Sequence, residues 1–171
     1  MSAKLLKINI LLIFLISLSL SGCGIYSFTG SALSPDIKTI SIETFPDRSN
    51  GGPSYISQVF TDKAREYFQS NSKLAILQSN GDLQITGYIS GYTLSPVAPT
   101  GNNVAAKTRL TITVKVKYQN TKNEEDDFEQ DFSFFSDFDQ TQTLSAVERG
   151  NIEEISDQIL LDIFNKTVAN W

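Results

Sequence analysis

The chain has 171 residues but no histidine, and only one cysteine, Cys23. Histidine is the side chain whose unperturbed pKa suits proton shuttling near neutrality, and it is the commonest metal ligand. Without it, Ser-His-Asp and Cys-His constellations are excluded. One thiolate cannot complete a tetrahedral zinc set, and one cysteine cannot close a disulfide within its own chain. Basic residues are also in deficit, 14 against 19 acidic, for a net charge of −5. Non-specific binding to nucleic acid needs a basic excess, so nucleic acid is not an expected partner. Ten glycines and five prolines, with 40% hydrophobic and 19% charged residues, do not describe a disordered chain. The length fits one domain, and a chain near 150 residues buries roughly 68–70% of its unfolded surface, enough for a core without staples. Carboxylate or lysine chemistry, a binding module and a structural part remain open.

Only the start of the chain holds a long hydrophobic run. Lys4 and Lys7 precede Ile8 to Leu20, INILLIFLISLSL, which carries no charge. The run has the length of a signal h-region and is short for a spanning helix, which needs about 20 apolar residues. Leu20-Ser21-Gly22-Cys23 follows at once and resembles the bacterial lipobox, whose cysteine is diacylated and becomes N-terminal after cleavage. The expected layout is a lipoprotein signal peptide over 1–22, a lipidated N-terminus and linker over 23–36, and an α+β domain over 37–171. The other reading of this start is an uncleaved anchor with a buried cysteine. Cys23 is the expected lipid-attachment residue, and the covalent lipid is the only non-protein group expected. Each buried acyl CH₂ contributes about 0.8 kcal/mol, and two or more chains give stable anchoring. Cleavage removes two lysines and no acid, so the mature charge becomes 12 − 19 = −7. Gly24, where an Asp would resemble an inner-membrane retention signal, points to the outer membrane on its periplasmic side.

Ile37 to Glu43 alternates like a strand. After the turn residues Phe45 to Pro53, Ser54 sits where an N-cap belongs. Ile56, Val59, Phe60, Ala64, Tyr67 and Phe68 then follow at helical spacing to about Asn71. Leu74 to Leu77 is a short apolar run. Leu83, Ile85, Gly87, Ile89 and Gly91 alternate with polar residues through Tyr92, a strand whose glycines suggest a bulge or close approach. Ser95 to Ala106 reads as a long loop. Arg109 to Tyr118 is the clearest strand, and Phe128 to Phe138 a last one, kinked near Phe134-Phe135. A final helix opens at Thr143-Leu144-Ser145, with Ser145-x-x-Glu148 read as a capping box and an apolar face built on Ile152, Ile155, Ile159 and Ile163. The fold class expected is α+β: a two-layer sandwich with two helices on one face of a mainly antiparallel four-stranded sheet.

Little in the chain suggests bond-making chemistry, and no catalytic residue is assigned. Glu124 to Asp127 lacks the spacing of a calcium loop and reads as a solvated turn. Asp137 and Asp139 are close in sequence, yet nothing puts them in a pocket. Asn50-Gly51-Gly52-Pro53 lacks the Lys-Ser/Thr ending of a phosphate loop. One feature stands out: Lys107, Arg109, Lys115 and Lys117 share the strand face opposite the apolar residues. That row could meet phosphates of an anionic glycolipid, or it could be an ordinary solvated face that guards against edge pairing. Tyr88 and Tyr92 of the neighbouring strand are expected on the same surface.

Several stretches carry a wider resemblance. Cys23-Gly-Ile-Tyr-Ser-Phe-Thr-Gly30, Leu33 to Ile42, Gly81-Asp-Leu, Gly87-Tyr-Ile-Ser-Gly-Tyr92, Arg109 to Lys117, Asp137-Phe-Asp and Asp162 to Trp171 together resemble the lipopolysaccharide-assembly lipoprotein family LptE, in its Bacteroidetes form. The resemblance spans the mature chain and implies two helices on a four-stranded sheet. It also implies a non-enzymatic role: partnering the LptD β-barrel as its plug, binding lipopolysaccharide and assisting its insertion into the outer leaflet. Two further classes stay open, a structural lipoprotein supporting another barrel or secretin, and a periplasmic lipid carrier.

Overall fold

The β-branched run Thr39–Ile42 forms β1, and its neighbours come from far along the chain. The computed structural model describes residues 33–97 and 106–169. Beyond β1 the elements are α1 (Ile56–Asn71), β2 (Ala75–Leu77), β3 (Leu83–Val97), β4 (Lys107–Asn120), a 3₁₀ turn (Glu124–Asp126), β5 (Phe128–Asp139) and α2 (Leu144–Thr167). The sheet has five strands in the order β2-β1-β3-β4-β5. β1 runs parallel to both of its neighbours, while β3, β4 and β5 form an antiparallel meander. The expected α+β class with two helices therefore holds, but four strands become five and the sheet is mixed. The fifth strand is the short apolar run at Leu74 to Leu77, three paired residues at an edge, too brief to show an alternation.

Both helices lie on one face. Ile56, Phe60, Ala64 and Phe68 recur every fourth residue on α1, and Ile152, Ile155, Ile159 and Ile163 line α2. They meet Ile40, Ile42, Leu83, Ile85, Ile89, Leu110, Ile112, Val114 and Val116, all nearly inaccessible. Burying one such side chain fully contributes about 1.5–3 kcal/mol. Tyr67, Phe68 and Phe164 form an edge-to-face cluster between the helices. Polar ties fix the entry to α1. The Phe45 N–H donates to Thr61 Oγ1 (3.0 Å), and Ser57 Oγ donates to the Phe45 carbonyl (2.7 Å). Arg65 brings Nε and Nη2 to the Ile42 carbonyl, each at 3.2 Å.

The start of α1 moves by one residue, while α2 opens at Thr143-Leu144 as expected but without the expected cap. Tyr55, not Ser54, occupies the N-cap of α1, and it makes no side-chain cap bond. Thr143 is the N-cap of α2, which places Ser145 inside the helix and dissolves the capping box. Residues Ser95 to Val97, expected in a loop, continue β3, and Lys107 and Thr108 extend β4. β5 pairs with β4 from Phe128 to Asp139 without a break in register, so no kink is present at Phe134-Phe135. Gly87 faces the helix layer between Ile85 and Ile89. A Cβ there would lie 2.7 Å from Phe45 Cε1 and 2.1 Å from the Lys115 carbonyl oxygen, so the glycine is what lets the Phe45 ring lie against the sheet. No described helix is long and apolar enough to cross a membrane.

Candidate functional site

Among the described residues no helix covers the second face of the sheet, called the bare face below, and the expected basic row lies on it. Strand parity puts Lys107, Arg109, Lys115 and Lys117 on this face, while Leu110, Ile112, Val114, Val116 and Tyr118 enter the core. The antiparallel register then adds a pattern that β4 alone does not contain. Directly across on β5, Lys107 faces Asp139, Arg109 faces Asp137, Lys115 faces Asp131 and Lys117 faces Glu129. All four cations have an acid opposite. Between the two charged ends lie Thr111 beside Phe135 and Thr113 beside Ser133, whose hydroxyls are 3.0 Å apart.

The pairs differ in tightness. Arg109 holds Asp137 through two parallel bonds, Nε to Oδ1 at 2.7 Å and Nη2 to Oδ2 at 2.9 Å. Its guanidinium also lies 3.5 Å from the centre of the Phe135 ring. The hydrogen bond from Arg109 holds the Asp137 carboxyl below its ordinary value against a small opposing effect of burial, and the same bond raises Arg109. Lys115 reaches Asp131 at 3.4 Å and Glu129 at 3.8 Å. Lys107 and Lys117 make no ion pair within 4 Å among the described residues. Such half-exposed pairs contribute at most about 1 kcal/mol each. Their larger effect is to make the row a neutral ladder rather than an isolated positive stripe.

Asp137 and Asp139 do not act as a pair. Asp137 is engaged by Arg109, while Asp139 Oδ1 accepts from the Thr141 N–H and hydroxyl (2.9 and 2.8 Å), which lowers its pKa. The acidic turn is likewise internal. Asp127 Oδ1 accepts from the Asn120 N–H and Asp126 Oδ2 from Asn120 Nδ2 (2.7 and 2.8 Å). No group of three metal-ligating side chains occurs among the described residues.

The two tyrosines separate. Tyr88 pairs with Lys115 on the bare face, where the guanidinium of Arg48 lies 4.4 Å from its ring centre. Tyr92 does not join it. A bulge between Ile89 and Gly91 inserts one unpaired residue, Ser90, which reverses the side-chain phase. Tyr92 therefore pairs with Ile112 on the helix side and donates to Glu148 Oε1 (2.7 Å), while Tyr55 donates to Glu148 Oε2 (2.9 Å). Arg48 and Glu148 are the polar residues that strand and helix periodicity misses. Arg48 comes from an irregular loop, and Glu148 reads locally as a cap partner. Cys23 lies outside the described residues, as do Tyr26 and Phe28 of the linker.

Two helices on one face of a mixed sheet, with a charge-balanced face left open, define a two-layer α+β domain. Solved structures share this fold. They include a minor lipoprotein of Acinetobacter baumannii (14% identity, TM-score 0.52, covering 78% of this chain and 94% of that one). A protein of Xanthomonas campestris is similar (10% identity, TM-score 0.53, 81% and 90% covered), as is a hypothetical protein of Chlamydia trachomatis (8%, 0.53, 78% and 99%). At these identities the likeness is one of fold. No curated protein matches the chain. The chain belongs to the lipopolysaccharide-assembly family LptE, whose model matches residues 37–167.

Proposed function

We propose that the chain is an outer-membrane lipoprotein of the lipopolysaccharide-assembly machinery, anchored through lipid on Cys23 and facing the periplasm. In this reading it partners an LptD-like β-barrel as its plug and lipopolysaccharide-binding subunit, and makes or breaks no bond. The observation that carries the proposal is the family match, which runs from the strand region to the end of α2. The space between sheet and helices is filled by Phe45, Phe60, Phe68 and the isoleucines of α2, which favours action by surface contact over carriage of a lipid inside. Lys107, Arg109, Lys115 and Lys117 are the proposed contact residues toward lipopolysaccharide phosphates or the barrel wall. Lys107 and Lys117 are the better phosphate contacts of the four, because Arg109 and Lys115 already hold acids.

The test is depletion of the protein followed by staining of surface lipopolysaccharide and co-purification of the barrel. Loss of surface lipopolysaccharide together with recovery of an LptD-like barrel supports the reading. Normal staining sinks it, and recovery of a different barrel or a secretin replaces it with a structural role. The Cys23→Ala chain should leave the outer-membrane fraction; if it stays there, the lipid anchor is wrong.

A further inference from the structure

β5 closes one side of the sheet, and no strand among the described residues pairs beyond it. The strand is twelve residues long and pairs only with β4. Among the described residues, the outward N–H and C=O groups from Glu129 to Asp137 receive no hydrogen bond from backbone or side chain, and at the end of the strand only the Asp139 carbonyl is taken, by the Gln142 N–H at 3.0 Å. An edge of this length is a template for another strand unless its side chains forbid one. α2 covers the helix-side face of β5 without covering the edge. Ser136 Oγ donates to Glu154 Oε2 at 2.9 Å, and Lys166 meets Gln130. Beside the second half of the edge runs an open cleft of about 780 Å³, lined by Phe134, Phe138, Val147, Asn151 and Glu154 among others.

The side chains of β5 restrict what can pair there. On the bare face it presents Glu129, Asp131, Asp137 and Asp139. A second copy adding antiparallel meets these acids with its own. A register centred on Phe134 sets Glu129 against Asp139 and Asp131 against Asp137. Centred on Ser133 it sets Glu129 against Asp137, and centred on Phe135 it sets Asp131 against Asp139. Like charges directly opposite destabilise a strand pair. β4 shows the sequence that β5 does accept, with Lys or Arg opposite every acid. The carboxylates nearest the edge's start keep room for a second cation, since the side chains of Glu129 and Asp131 are 58% and 54% exposed.

We propose that the outer edge of β5 receives an extended segment of a partner protein as a sixth strand, basic at alternate positions on the bare face and apolar toward the cleft beside α2. Main-chain hydrogen bonds supply affinity in strand addition, and alternate side chains supply specificity. Here the acids select the sign of the partner and disfavour the chain's own β5 in its longest registers.

The probes are three nine-residue fluorescent peptides: alternating Lys and Val, the same with Glu for Lys, and the Lys/Val peptide N-methylated at alternate residues so that it cannot extend a ladder. Binding to the purified full chain is read by anisotropy, and amide hydrogen exchange is followed over Phe128–Asp139. The Lys/Val peptide should bind at least tenfold tighter than the other two and slow exchange in that stretch alone. Glu129→Lys with Asp131→Lys should reverse the preference between Lys and Glu peptides; the three peptides on the unaltered chain carry the test if that variant does not fold. Equal binding of the N-methylated peptide would reduce the effect to charge alone and overturn the proposal. Equal binding of the Glu peptide, or no binding, also overturns it. So does slowed exchange without peptide at doubled mass, which would assign the edge to a second copy.

Discussion

Replacing Glu148 with alanine removes the acceptor that joins three separate elements. Tyr55 precedes α1, Tyr92 follows the bulge in β3, and Glu148 lies in the first turns of α2. A hydrogen bond to a charged acceptor contributes about 1.5–3 kcal/mol, and a buried donor left alone costs about 1–3 kcal/mol. Tyr92 is half-buried and should account for most of the loss, whereas Tyr55 is more open to water and regains a partner there. Alanine returns a few tenths of a kcal/mol in helix propensity. The net expectation is a destabilisation of about 2 kcal/mol, or roughly 4–8 °C in Tm at this chain length. Urea unfolding of the single and double variants with Tyr92→Phe should give a coupling of about 1 kcal/mol between the two positions. A capping box at the same residues makes the opposite forecast: Ser145→Ala would cost about 1 kcal/mol and Tyr92→Phe would be independent of Glu148. Zero coupling combined with a costly Ser145→Ala would refute the three-element tie.

Three more outcomes follow from the packing and the shifted groups. Gly87→Ala should destabilise by about 1–3 kcal/mol, since its Cβ meets backbone of β4 that cannot move aside, while Gly150→Ala, in open space on α2, should stabilise by up to about 1 kcal/mol; urea midpoints read both. Asp82 accepts from the Lys38 and Thr39 N–H groups and the Thr39 hydroxyl and pairs with Lys122, and the backbone bond from Lys38 leads in holding its pKa far below the ordinary 3.8. The stability it adds is present above pH 3.8 and lost as the pH falls below it, so Asp82→Asn should flatten the acid limb of a stability-against-pH curve. Burial raises Tyr92 and Tyr118 above 10, and with them Tyr55; that stability is complete below pH 10 and declines as the pH rises through the higher folded values, an alkaline limb that Tyr92→Phe should reduce.

Period decided which parts of the molecule were legible. β4, whose ten central residues alternate without exception, was read on the correct face, and so were the apolar stripes of both helices. β2 has three residues and no period to show, so its pairing with β1 is invisible in the sequence, and alternation carries no sign of direction, so the parallel pairing of β1 with β3 that makes the sheet mixed is invisible too. The single extra residue at Ser90 defeated the assignment of Tyr92, because alternation counted from Leu83 is out of phase beyond the bulge. The cations of β4 and the acids of β5 were each visible, but only the register joins Arg109 to Asp137 twenty-eight positions away. Ser145 and Glu148 had the right spacing for a cap and the wrong helix boundary. Arg48 lies in a loop with no period at all, and only the folded chain brings it over Tyr88.

The place of β1 has a consequence for the order of assembly. β3, β4 and β5 are consecutive hairpins and can close soon after they meet, whereas β1 must wait for partners that follow α1 in the chain. Parallel, non-local pairing of this kind slows folding. The first strand is thus expected to be the last wedge driven into the sheet. Until it enters, the hydrophobic seam prepared by Leu83 and Ile85 stands open, and a chain lacking Thr39–Ile42 would keep its meander but lose the join between β2 and β3.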